Sequence, residues 1–240
     1  MKKALFVILL YLFSMNGAAQ SKVGTFSIVP RLGINVTDMS SKLFPTSVAD
    51  NPIWNRNNSD SRVRFAGGVD LMYQLSDMFA VSAGTFYSQQ GCRFKDLYEY
   101  SAADKSLTAT ELSPAKLDYI NIPFMLHGYV VKGLSLNAGV QVGFLTKVKW
   151  SGKQVKALLH EEHGIIIPSE PFQMTTMKEF IIKNTDAFHK VDISVPLGVS
   201  YEFMNIVLDA RYNLGLTKVS KEGSSKNRVF MVTLGYKFNL

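Results

Sequence analysis

The chain has 240 residues and a formal charge of +7, with 26 Lys and Arg against 19 Asp and Glu. The basic residues are dispersed rather than gathered into a stripe, which argues against a nucleic-acid partner and favours an anionic membrane surface rich in lipopolysaccharide. Cys92 is the single cysteine, so an internal disulfide is excluded.

Lys2 and Lys3 precede an apolar run, Ala4 to Phe13. The run is too short for a membrane helix, which takes about 20 residues. Gly17-Ala18-Ala19 supplies the small residues that signal peptidase needs. Residues 1–19 therefore read as a cleaved signal peptide and 20–240 as one exported domain. A buried N-terminal helix or a membrane anchor is the alternative. No Cys follows the cleavage point, which closes the lipoprotein route.

From there the chain alternates with period two, the strand period. Residues 25–36 set Ile28, Leu32 and Ile34 against Ser27, Arg31 and Asn35. Residues 63–74 set Val63, Phe65, Val69 and Leu71 against Arg64, Ala66, Gly68 and Asp70. Residues 79–90 alternate more weakly. Residues 118–130 set Ile120, Ile122, Phe124 and Leu126 against Tyr119, Asn121 and His127. Residues 134–145 set Leu136, Val140 and Phe144 against Asn137, Gln141 and Gly143. Residues 191–203, 206–216 and 228–240 repeat the pattern, the last with Phe230, Leu234, Tyr236, Phe238 and Leu240 on one face. Eight segments of this length suffice to cross a bilayer when tilted.

The connections alternate in length. Residues 75–78, 131–133 and 204–205 are tight hairpins, whereas 37–62, 91–116, 149–190 and 217–227 are long. That predicts an up-and-down, eight-stranded antiparallel transmembrane barrel with short periplasmic turns and long outer loops. A soluble barrel would bury the apolar face. Here that face is uniformly bulky, and the opposite face is rich in Gly and charge, which suits a narrow lumen. Tyr73, Phe79, Tyr129, Tyr201, Phe203, Tyr236 and Phe238 fall near the short-turn ends, as an interfacial girdle requires.

The stretches Arg31-Leu32-Gly33-Ile34-Asn35, Leu117-Asp118-Tyr119-Ile120-Asn121-Ile122-Pro123 and Arg211-Tyr212-Asn213-Leu214-Gly215-Leu216 resemble the outer-membrane β-barrel domain common in Bacteroidetes, often called PorT-like or porin family. The resemblance implies the barrel and the outer membrane of a Gram-negative cell. It leaves the activity open; PorT itself is implicated in protein secretion and gliding. The ending Tyr236-Lys237-Phe238-Asn239-Leu240 is similar to the signal read by the barrel assembly machinery, whose last residue is usually Phe. Tyr236, Phe238 and Leu240 are its candidate residues.

The candidate site is a set of lumen charges: Arg31, Arg64, Asp70, Asp118, Asp192, Glu202, Asp209 and Arg211. Buried charges must be paired, so a salt-bridged plug is the first reading and a polar conduction path the second. His127 faces the lumen and could pair with Asp118. His160-Glu161-Glu162-His163 follows a possible short helix at 153–159, but its spacing departs from the i, i+4 zinc pattern, so a solvated loop is expected. His189, Asp192 and Ser194 lie along one strand start and form no triad. Cys92 reads as a chance free thiol. No enzyme, metal or cofactor is expected. The expected role is structural or surface-binding through the outer loops, with a possible protein partner there. A narrow solute channel or a secretion accessory is the alternative. The connection 149–190, with Ile165–Ile167 and Phe180–Ile182, is expected to fold over the mouth or dock a partner.

Overall fold

Wherever bulky and small or polar residues alternate, the backbone is extended and paired. The computed structural model describes residues 21–39, 59–94, 97–101, 106–162, 165–168, 174–182, 185–221 and 224–240. The expected signal segment, residues 1–19, with its expected cleavage after Ala19, and residues 40–58 of the first outer connection lie outside them. In chain order the described strands are β1 (Phe26–Met39), β2 (Ser59–Asp60), β3 (Arg62–Gln74), β4 (Phe79–Gln90), β5 (Arg93–Phe94), β6 (Leu97–Ser101), β7 (Ser106–Leu112) and β8 (Lys116–Val131). They continue with β9 (Leu134–Glu162), β10 (Ile165–Pro168), β11 (Met174–Ile182), β12 (Val191–Phe203), β13 (Ile206–Gly215), β14 (Asn227–Tyr236) and β15 (Phe238–Asn239).

Eight of these form the barrel. Each pairs antiparallel with its neighbour in the order β1-β3-β4-β8-β9-β12-β13-β14, and β14 returns to β1 with Leu32 opposite Leu234. Closure leaves no strand edge in the bilayer, where unpaired backbone groups would go unsatisfied. The three tight connections are hairpins. Met204 and Asn205 both take positive φ, 46° and 69°. That is the type I′ geometry which matches strand twist.

The faces divide as the alternation demands. Leu32 is 65% exposed and Arg31, beside it, 1%. Outward columns such as Phe124, Leu126, Leu136, Val140 and Phe144 are exposed to lipid. Phe26 stacks at 4.5 Å on Tyr73, and Tyr236 at 4.8 Å on Phe238, at the short-turn end. Tyr129 does not join this girdle. It points inward and is buried, because it shares the phase of His127 rather than that of Val130.

Two outer connections differ from the expected loops. β9 runs through 29 residues, so 153–159 is strand rather than helix. β7 pairs with one side of its outer half, Thr108 opposite Lys156. β11 pairs with the other, Phe180 opposite Gly152. β6 adds to β7, and β10 folds back on the end of β9. The residues beyond the bilayer thus form a second antiparallel sheet, continuous with the wall. The strand segments containing Ile165–Ile167 and Phe180–Ile182 belong to it. His163 lies outside the described residues.

The apolar face changes side on β8 and β9. Nearer the short turns, Ile120, Phe124 and Phe144 point outward, while Asn121, Gln141 and Gly143 point inward. Beyond them Asp118, Lys116, Lys147 and Lys149 are on the outer face, and Leu117, Tyr119, Leu145, Val148 and Trp150 are buried inside. A register shift between Asp118 and Tyr119, opposite Leu145 and Lys147, re-phases β9 at that height.

Candidate functional site: the lumen network and its apolar cap

The site begins with phase. Arg31, Asp70, Asp209 and Arg211 sit on the inward positions of β1, β3 and β13, and all are buried. Arg31 Nε lies 3.0 Å from Asp70 Oδ2, and its Nη1 lies 3.5 Å from Asp209 Oδ2. Arg211 Nε donates to Asp209 Oδ1 at 2.7 Å, its Nη2 lies 4.0 Å from Asp70, and its guanidinium rests 5.6 Å from the centre of the Phe86 ring. Two guanidinium and two carboxylate groups therefore neutralise one another away from water, which buried charges require.

Small residues make room for these long side chains. A Cβ on Gly235 would approach Arg31 Cγ to 2.7 Å, and one on Gly84 would collide with Asp70.

Neutral side chains extend the network. Ser200 donates to Asp209 at 2.7 Å, and Asn137 donates to Ser200. Asn137 Oδ1 meets His127 Nδ1 at 2.8 Å, and His127 Nε2 meets Ser82 Oγ at 2.9 Å. Asn137 presents its amide oxygen, so Nδ1 donates and Nε2 of a neutral ring accepts from Ser82. The chain of contacts from Ser82 to Asp70 touches every barrel strand except β14, which contributes the space at Gly235.

Below it, towards the short turns, Lys237 Nζ pairs with Glu202 at 2.8 and 3.0 Å, and Tyr129 donates to Glu202 at 3.4 Å. Between these levels lies a cavity of about 10 Å³, bordered by Arg31, His127, Ser135 and Glu202. That is room for about one water.

Above the network, Asp192 accepts from Thr217 at 2.6 Å and from Asn227 at 3.4 Å, and Asn227 also donates to Tyr119. Higher still the lumen is apolar. Met39, Cys92, Ala115, Leu117, Tyr119, Leu145, Val148 and Trp150 pack with Phe188 and Val219 from the third and fourth outer connections. His189 N bonds Val219 O at 2.9 Å, and Phe188 bridges to Ser220, which locks these connections across the mouth. Burial in this cap pushes the Cys92 thiol up to about 12.

Six of the eight candidate charges thus face inward and are buried. Asp118 does not. It shares the outward phase of Ile120, opposite Lys147, and His127 bonds Ser82 and Asn137 in its place. Its polarity suggests an inward place, whereas its alternation with Ile120 gives the outward one. Arg64 is on the inward phase at the outer end of β3, half-buried. Among the described residues it forms no ion pair, although it lies within electrostatic range of Asp118. Lys237 was missed, hidden within the terminal signal, though its alternation with Gly235 marks it as inward. Tyr236, Phe238 and Leu240 are exposed on the outer face, and Leu240 N bonds Phe26 O at 2.9 Å.

Ser82, His127 and Asn137 have the connectivity of a nucleophile, base and orienter. All three are buried in the wall, and the neighbouring cavity admits no acyl substrate. The arrangement can pass hydrogen bonds and hold strands together.

Among solved structures, the chain is similar to Ail, the attachment invasion locus protein of Yersinia pestis, at 13% identity and a TM-score of 0.43, covering 90% of this chain and 100% of that one. It is similar to Neisserial surface protein A at 14% identity and a TM-score of 0.40, covering 91% and 100%. An outer membrane channel from Pseudomonas putida F1 follows at 8% identity and a TM-score of 0.32, covering 94% and 99%. No curated protein matches the chain. The family described as "Outer membrane protein beta-barrel domain" matches residues 18–221. The closed eight-stranded wall, its lipid-facing columns and this match give one conclusion: the chain belongs to the outer membrane protein β-barrel domain family.

Proposed function

We propose that the protein is a sealed, non-enzymatic barrel that carries a binding sheet at the cell surface. The observation behind this reading is β9, one unbroken strand that belongs to the barrel wall at its start and to the outer sheet at its end. A rigid scaffold that presents an outer element is where binding residues gather. The lumen supports the same reading, being filled by ion pairs below and apolar side chains above.

In this proposal residues 1–19 direct export, the barrel assembly machinery reads the Tyr236–Leu240 ending, and outer-membrane lipid surrounds the wall. The Leu117–Pro123 stretch, which lies on β8, carries the resemblance that favours a PorT-like Bacteroidetes relationship. Hence a second reading is an accessory role in protein secretion.

The test replaces residues 97–112 and 153–181 with short Gly-Ser linkers, sparing Trp150 and Phe188 of the cap. The shortened barrel should insert and keep its heat-modifiable migration, yet leave the surface and secreted proteomes as altered as a gene deletion does. Full complementation by the shortened protein would refute the display role. A changed set of secreted cargo in the deletion supports the accessory role. Planar bilayers should show no steady conductance, and large stable steps would instead favour a solute channel.

A further inference from the structure

Just above the lipid-facing columns, β8 and β9 turn a basic patch outward. Lys116 and Lys149 are direct cross-strand partners, and Lys147 stands opposite Asp118 one step closer to the bilayer. All three lysines are exposed on the outer face of the wall. Like charges directly opposite on a sheet repel, so Lys116 and Lys149 weaken their own pairing unless an anion lies between them. Three ammonium groups face one carboxylate, so the patch keeps a positive excess.

Its position selects the occupant. Directly below, Ile120, Phe124, Val140 and Phe144 form exposed apolar columns that suit acyl chains. Tyr87 and Gln89 flank the boundary on β4, with Gln89 Nε2 donating to Tyr87 Oη at 3.2 Å. A ligand that fits must be anionic at the headgroup level and apolar beneath it.

We infer that Lys116, Lys147 and Lys149 bind the phosphate groups of a lipopolysaccharide molecule in the outer leaflet, whose acyl chains lie on the β8–β9 columns. The site is separate from the outer sheet and does not depend on its role. Asp118 opposes the ligand's charge and limits its affinity.

The test uses the full barrel in phosphatidylcholine nanodiscs, with phosphorylated rough lipopolysaccharide as the probe and bound lipid measured after washing. The triple substitution Lys116→Gln, Lys147→Gln and Lys149→Gln should lower retention by roughly ten-fold or more, on the scale of attraction per lysine at an anionic surface. The periplasmic-side control Lys132→Gln should leave it unchanged. Asp118→Asn should raise retention, an increase that poor folding would not produce. Dephosphorylated lipopolysaccharide should bind as weakly to the wild type as the phosphorylated form does to the triple variant. Unchanged retention in the triple variant overturns the inference. So does equal displacement by inorganic phosphate alone, which marks a free-anion site, or equal retention of phosphatidylglycerol, which marks a surface for any anionic lipid.

Discussion

The two halves of the lumen are built on opposite principles within one continuous wall. Towards the periplasmic turns the interior is polar, with Arg31, Asp70, Asp209 and Arg211 enclosed among glycines. Towards the outside it is apolar, with Leu117, Val148, Trp150 and Phe188 in contact. The difference follows from what surrounds the wall. Within the bilayer the outer face is solvated by hydrocarbon, so burying apolar groups inside gains little, and paired polar groups can set strand order and register. Above the bilayer the outer face is wet. There the interior must be apolar, as in a soluble protein. The exchange of faces at Tyr119–Asn121 and Gly143–Leu145 marks the height at which the solvent changes.

The largest effect should come from unbalancing the polar half. Asp209→Ala leaves Arg31 and Arg211 short of a counter-charge and should cost about 3–5 kcal/mol. Urea titration of the protein in lipid vesicles would measure this. Adding Arg211→Met should recover part of the loss. No recovery would show that shape, not charge balance, holds this half.

Next is the apolar half. Phe188→Ala should cost about 3 kcal/mol, at the low end for a buried aromatic because the residue lies on a connection. The loss should stay local, with barrel migration unchanged and Cys92, in the same cap, labelled faster by maleimide. If Asp209→Ala opens Cys92 as readily, the halves are coupled and the contrast between them fails.

The cap also responds to pH. Burial holds the Cys92 thiol near 12, well above its ordinary value of 9. The folded cap thus keeps this proton more tightly than the unfolded chain. The corresponding stability is present below about pH 9 and is lost as pH rises towards 12. Labelling at pH 8 should be slow in the folded protein and fast after unfolding. Rapid labelling of the intact barrel would mean that the cap is open.

The smallest effect lies outside both halves. Met204 occupies a left-handed conformation that suits Asn or Gly better. Met204→Asn should add about 0.5–1 kcal/mol by the same urea titration and leave Cys92 labelling unchanged. A change in labelling would reveal communication along the whole wall.

Much of this was legible in the sequence because a strand in a membrane barrel writes its two solvents as alternation. The eight wall segments and three tight hairpins appear where bulky residues recur every second position. The outer sheet was less legible. The register shift beside Tyr119 re-phases β9, and above it outward polar and inward apolar residues look like an irregular loop. The same inversion explains Asp118, which a rule of polar-inside misplaces once the wall has left the lipid. Lys237 obeyed the rule but was read as part of an ending. The links Ser82–His127 and Asn137–Ser200 join strands far apart in sequence, so their partners emerge only with the register.

The length of β9 has a mechanical consequence. At about 3.3 Å per residue its 29 residues amount to roughly 95 Å of continuous strand, bent only where the register shifts opposite Asp118 and Tyr119. A pull on the outer sheet therefore loads the β8–β9 ladder in shear, where many hydrogen bonds share the force and none can be opened singly. Whatever grips the sheet from outside is tethered to the membrane through a strand that is itself part of the barrel wall.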